Sequence, residues 1–201
     1  MTITTIFFDV GGVLYDGHGE RRVLETIAQQ HSVPYPSVLG VRDKMWRYFR
    51  IGALTEREFW GEIFNGINVV GDISEAMAQL HLTPLSKNWA VLPPLRAAGY
   101  QLGIISNHAK PWVRRLMAYD NFGAHFDCAV FSCDDDVKSA KPDPAIYQKA
   151  LAKAGVSASE SLFFDDLQKN VDGARAVGMH ADLYQWPDDL GEMLRRHDVM
   201  F

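Results

Sequence analysis

The chain's 201 residues, 47% hydrophobic and 22% charged, are enough for one domain of ordinary size plus a subdomain, with a sizeable core. A net charge of -5 and a pI near 5.8 leave no domain-scale basic surface, so nucleic acid and anionic membranes are excluded as expected partners. Two cysteines, Cys128 and Cys133, make neither a disulfide framework nor a zinc pair, and no basic region precedes a long apolar run at the amino terminus, so the expected address is cytoplasmic.

The run Ile6, Phe7, Phe8 reads as a central strand of a parallel sheet, since a strand covered on both faces loses the polar–apolar alternation. Asp9 ends it, and Gly11 and Gly12 bring bare backbone close to whatever Asp9 touches. The next seventy or so residues read as helices. Residues 20–31 carry Val23, Leu24, Ile27 and Ala28 at helical spacing, Pro34 and Pro36 mark a break, and 38–49 is a second helix. Thr55 and Glu58 form a capping box that starts a third, running to about Phe64, and 73–82 is a fourth, closed by Thr83-Pro84. This block reads as an inserted cap, or as helical hairpins packed on the sheet.

Beyond it, strands alternate with helices, the pattern of βαβ units. Helix 87–98 leads to strand 102–105, and a helix from Pro111 to about Tyr119 leads to strand 126–131. Helix 144–154 is followed by strand 161–164, and helix 168–177 by strand 180–184; 188–196 is a last helix.

Four strand ends carry polar groups: Asp9, Ser106-Asn107, Lys141-Pro142 and Asp165-Asp166. In a parallel sheet all four lie along one edge, where open α/β sheets bind ligands. Each alone is a plausible turn or cap residue; four in succession describe a site for a metal ion and a phosphoryl group. Hard oxygen ligands without His or Cys suit Mg²⁺. A lysine can balance a carboxylate nucleophile while a hydroxyl and an amide donate to phosphoryl oxygens.

The segments Phe8-Asp9-Val10-Gly11-Gly12-Val13-Leu14, Ile105-Ser106-Asn107, Ala140-Lys141-Pro142-Asp143-Pro144 and Phe164-Asp165-Asp166, in this order, resemble the haloacid dehalogenase superfamily of phosphohydrolases, glucose-1-phosphatase-like members among them. The resemblance implies a Rossmann-like three-layer α/β fold with strand order 5-4-1-2-3, a core of residues 1–15 and 85–201, and a helical-bundle cap at 16–84. It implies that Asp9 is the nucleophile and a metal ligand, that Ser106, Asn107 and Gly12 bind the phosphoryl group, and that Lys141 orients Asp9 and stabilises the transition state. Asp165, Asp166 and the Gly11 carbonyl would hold Mg²⁺, and Asn170 would stand behind them. The implied substrate is a small phosphorylated metabolite, with a sugar phosphate the best match to a small helical cap, and the implied state is monomer or homodimer.

One position departs from the family pattern. Most of its phosphatases have a second Asp two residues after the nucleophile, as general acid and base; here that residue is Gly11. General acid–base catalysis contributes roughly 10²–10⁴-fold, so a good leaving group, a substitute such as Asp16 or His18, or a domain that binds without turnover are the three readings. The dehalogenase branch also lacks the second Asp, but Gly11 and the Asp165-Asp166 pair argue against it. On the second helix of the block, Arg42, Lys44, Arg47 and Arg50 read as a solvated face or a lure for an anionic substrate; Trp46, Tyr48, Phe49 and Trp60 read as the block's own core.

Overall fold

The computed structural model describes residues 2–16, 19–78, 84, 86–119 and 121–201. Strand β1 (Thr5–Phe8) is buried along its whole length and lies at the centre of a five-stranded parallel sheet. It pairs on one side with β2 (Gln101–Ser106) and on the other with β4 (Ser161–Asp165); β3 (Cys128–Phe131) and β5 (His180–Leu183) are the edges, giving the order β3-β2-β1-β4-β5. Read from the other edge, this is the expected 5-4-1-2-3.

Period-2 alternation sorts the strand side chains between two cores. Ile6 and Phe8 pack with Ile104, Phe164 and the helices α6 (Leu92–Ala97) and α10 (Leu190–Arg195), while Phe7 packs with Ile105, Phe163 and the helices α8 (Pro144–Ala154) and α9 (Gln168–Ala176). Each such large apolar side chain contributes roughly 1.5–3 kcal/mol through burial. Asp143 caps the start of α8 through the Ala145 amide at 2.8 Å, and Gly155 ends it in the left-handed conformation that glycine adopts without a Cβ clash.

Between β1 and β2 come α1 (Gly19–Gln30), α2 (Tyr35–Phe49), α3 (Glu56–Gly66) and α4 (Ile73–Ala78). The Thr55–Glu58 capping box is formed in both directions at the start of α3. Residues 79–82 of the expected fourth helix, and Thr83 after it, lie outside the described residues. These helices share a core of their own: Phe49, Phe59 and Trp60 are fully buried in it, whereas Tyr48 is exposed. That core is shared with α7 (Lys110–Ala118), whose Trp112, with the adjoining Ala109, packs into it.

The helix expected over 87–98 is two pieces, α5 (Ser86–Trp89) and α6. Pro93 and Pro94 have no amide hydrogen, so the Trp89 and Ala90 carbonyls lose their helical partners and the helix breaks there. The break lets α5 turn toward the loop after β1, where Asn88 and the Trp89 indole donate to the carbonyls of Val13 and Leu14 and clamp the turn that follows Asp9. Strand 126–131 starts two residues late, after a 3-10 turn at Phe122–His125.

Candidate active site

Asp9 lies just past the carboxyl end of β1, 8% exposed. Its Oδ1 accepts the Val10 amide at 2.8 Å and faces Lys141 Nζ at 2.9 Å. Lys141 is completely buried, and its ammonium also reaches Asp165 Oδ2 at 2.6 Å and the Ile105 carbonyl at 2.8 Å, so all three of its protons have acceptors. The other Asp165 oxygen accepts the Leu167 amide and the Asn170 side chain, each at 2.9 Å. Tyr147 in turn holds Asn170 through its carbonyl at 2.7 Å. Lys141 is thus fixed between two carboxylates that are themselves held.

Asn107 sits at the end of β2, but its side chain is engaged elsewhere. The amide oxygen accepts the Lys141 backbone N–H at 2.8 Å and the amide nitrogen donates to the Lys141 carbonyl at 3.0 Å. It therefore pairs with the lysine loop as one strand would with another. Ser106 stands by Asp9, and its hydroxyl hydrogen-bonds the carboxylate. Gly12 has φ +80°, and a Cβ there would lie 2.4 Å from Asp166 Oδ2, so only glycine lets the second acidic residue approach.

Oxygens of Asp9, Asp165 and Asp166 lie within 4.8 Å of one another, and among the described residues this is the one cluster of three potential metal ligands found. Three carboxylates face a single ammonium. Burial raises the Asp9 pKa, with Asp165 adding to the effect against the pull of Lys141 and Ser106. Burial, then the charges of Asp9 and Asp165, push Asp166 up to about 7. For Lys141 burial acts downward, but its two carboxylates outweigh it and the pKa is raised. A divalent cation is the partner this surplus of negative charge fits.

Above Asp9 opens a cleft of about 500 Å³. Asp9, Gly11, Ser106 and Asn107 line its floor; Lys141, Gly12, Asp165 and Asp166 lie beneath and beside it. At Gly11 an added Cβ would meet nothing within 4 Å. The walls come from both halves of the chain: Tyr15, Asp16, Glu20 and Trp46 on one side, His108, Trp112, Arg115 and Tyr119 on the other. Of the basic residues on α2, Arg42 pairs with Glu20, and Lys44 and Arg47 are exposed. Asp16 is paired with Arg22 at 3.0 Å, and His18 lies outside the described residues.

Sequence reasoning passed over the second wall. Trp112, Arg115 and Tyr119 recur at helical spacing along one face of α7 and its end, a signal that was there to read. Glu56 of α3, 5% exposed, accepts the Trp112 indole at 2.7 Å and the Arg115 guanidinium through both oxygens, which ties the helical block to α7. His108 follows Ser106 and Asn107 directly. Burial lowers its pKa to about 4, Lys141 and Arg115 acting in the same sense against the Asn107 carbonyl.

A parallel sheet with a carboxylate, a buried lysine and an acidic pair at one edge defines an α/β protein built around an oxygen-ligand site. The profile of the haloacid dehalogenase-like hydrolases matches residues 3–178, and the chain belongs to that family. Its relatives differ in length and in name. The chain is 27% identical over 192 residues to mouse acyl-CoA dehydrogenase family member 10, matching 87% of the chain but spanning 17% of that protein. It is 33% identical over 98 residues to pyrophosphatase PpaX of Bacillus velezensis, 49% of the chain and 44% of the relative. It is 26% identical over 179 residues to the (S)-2-haloacid dehalogenase of Pseudomonas putida, 80% and 75% of the two. The fold matches that of the HAD family enzyme BT-2542 from Bacteroides thetaiotaomicron, with a TM-score of 0.80 at 21% identity over 97% of this chain and all of that one. BT-2542 has also been solved in complex with magnesium and inorganic phosphate.

Proposed function

We propose that this protein is a Mg²⁺-dependent phosphatase that hydrolyses a small phosphorylated metabolite, a sugar phosphate, through a phosphoryl group carried on Asp9. The observation that carries this reading is the Asp9 carboxylate at the floor of a cleft, 2.9 Å from a fully buried lysine and beside Ser106, with Asp165 and Asp166 oxygens within 4.8 Å. A phosphatase name among the relatives, and a structural neighbour solved with magnesium and phosphate, support it.

Asp9 Oδ1 is taken by Val10 and Lys141, which leaves Oδ2 to attack phosphorus. Lys141 orients Asp9 and favours its charged form against the effect of burial, and Ser106 donates to the phosphoryl oxygens, with Asn107 acting mainly by holding the Lys141 loop. Asp9, Asp165 and Asp166, with the Gly11 carbonyl, would hold the cation, which when bound supplies charge neutralisation at the phosphoryl oxygens. Residues 16–84 act as the cap. The aromatic walls suit the apolar face of a sugar, and Asp16, Glu20 and Arg115 suit its hydroxyls.

Phosphate release from a panel of sugar phosphates, with Mg²⁺ and with EDTA, tests this. Activity that EDTA removes and Mg²⁺ restores is expected; full activity in metal-free protein, or halide release from 2-haloacids without phosphate release, overturns it. With Gly11 in place of an acid, glucose 1-phosphate should be cleaved faster than glucose 6-phosphate, because an anomeric oxygen needs less protonation to leave. Gly11→Asp, which has room, should narrow that ratio.

A further inference from the structure

We infer that His108 is the general base of the second half-reaction, taking the proton from the water that hydrolyses phosphorylated Asp9. The inference rests on the phosphatase reading above and concerns the function that Gly11 leaves unassigned. Three observations lead to it. The space around Gly11 is open to the cleft and can admit water. Asp16, Glu20 and Arg115, the other charged groups of the walls, are each bound to an opposite charge: Arg22, Arg42 and Glu56. His108 lines the same cleft without an ion-pair partner among the described residues.

Its placement is fixed from several sides. The His108 amide donates to Ser132 Oγ at 3.1 Å, and the ring is set between Trp112 and Phe131, at 6.0 and 6.4 Å between centroids. A neutral imidazole carries one nitrogen whose lone pair can accept a proton. Burial and two neighbouring cations keep the imidazole neutral at neutral pH, which is the form that accepts a proton.

In the step, water oxygen forms a bond to phosphorus while its proton passes to the free imidazole nitrogen. The bond from phosphorus to Asp9 oxygen breaks, its electron pair returning to the carboxylate. The imidazolium releases the proton to solvent as phosphate leaves. No proton is required from His108 in the first half-reaction when the leaving group departs as an anion.

Rapid mixing of p-nitrophenyl phosphate with the Mg²⁺-loaded protein separates the two halves, since p-nitrophenolate leaves without protonation. His108→Gln should give a burst of about one p-nitrophenolate per site at a rate within a few-fold of the parent, then a steady state slower by about 10²-fold or more. A hydroxylamine-sensitive phosphoprotein should accumulate at the same time. Adding Gly11→Asp to that variant should restore steady-state turnover by about 10-fold or more, a rescue that a packing role for His108 would not permit. Steady-state turnover of His108→Gln within about 3-fold of the parent, or burst and steady state falling together without rescue, overturns the assignment alone. A parent that releases no p-nitrophenolate with Mg²⁺ overturns the phosphatase reading, and the assignment with it.

Discussion

The floor and the walls of the cleft are built on opposite principles. At the floor, Lys141 and Asp165 are fully buried and their polar atoms are matched one for one: three acceptors for the ammonium, three donors to the Asp165 carboxylate. In the walls, aromatic rings alternate with ion pairs that are partly exposed, and the Arg115 side chain is 41% exposed. A matched buried network permits one geometry, because each unsatisfied group would cost about 1–3 kcal/mol or more. The half-exposed Tyr119 ring and Arg115 guanidinium keep surface and donors for a ligand. On the proposed function, the difference puts the chemistry at the floor and the choice of substrate in the walls.

Floor substitutions should therefore strike turnover, and wall substitutions should strike recognition. The largest effect is expected from Asp9→Asn, which should lower turnover on the order of 10⁴-fold or more, because an amide is not a nucleophile. A thermal melt alongside the phosphate assay separates this from unfolding. Lys141→Ala comes next and should hurt both properties: it leaves Asp9 and Asp165 facing each other, costing about 3–5 kcal/mol in metal-free protein. Added Mg²⁺ should restore part of that stability while the rate stays about 10²-fold or more below the parent. If Lys141→Ala melted like the parent in EDTA, the ammonium would not be the counterion of this pair.

Asp166 offers a smaller effect with a defined sign. Its folded pKa, near 7, lies above the ordinary value of 3.8, so the stability tied to its protonated form is present below about pH 4 and is lost as pH rises through about 7. Metal-free Asp166→Asn should therefore be more stable than the parent at pH 8, by about 1–2 kcal/mol. That is less than the full shift, because the side chain is partly open to solvent. At pH 4 the two should coincide, and denaturation by urea at the two pH values in EDTA measures this. Mg²⁺ should bind the variant more weakly.

The walls should give the smallest changes in rate. Tyr119, 43% exposed on the rim, should on truncation to Ala raise KM by roughly 3- to 10-fold with kcat nearly unchanged, as loss of uniform binding does. A drop in kcat as large as the rise in KM would place Tyr119 with the floor instead.

Much of the floor was legible in the chain itself. A parallel strand can end on its binding edge only at its carboxyl terminus, so Asp9, Ser106, Asp165 and the buried run before each marked both the strand and the edge at once. Local rules sufficed for the Thr55 cap, because a cap depends on three or four neighbouring residues. The sequence alone therefore determined the sheet, the order of its polar ends and the family. Tertiary structure decided what each polar group spends its hydrogen bonds on. The Asn107 amide faces the Lys141 backbone, 34 residues away, and Glu56 reaches Trp112 and Arg115 across the block and the sheet's helix. Such choices follow from distances between segments remote in the chain, which no local spacing encodes. The same holds for the space at Gly11 and the seat of His108: a residue's neighbours in sequence fix its backbone, but only the packed fold determines how much room and water remain around it.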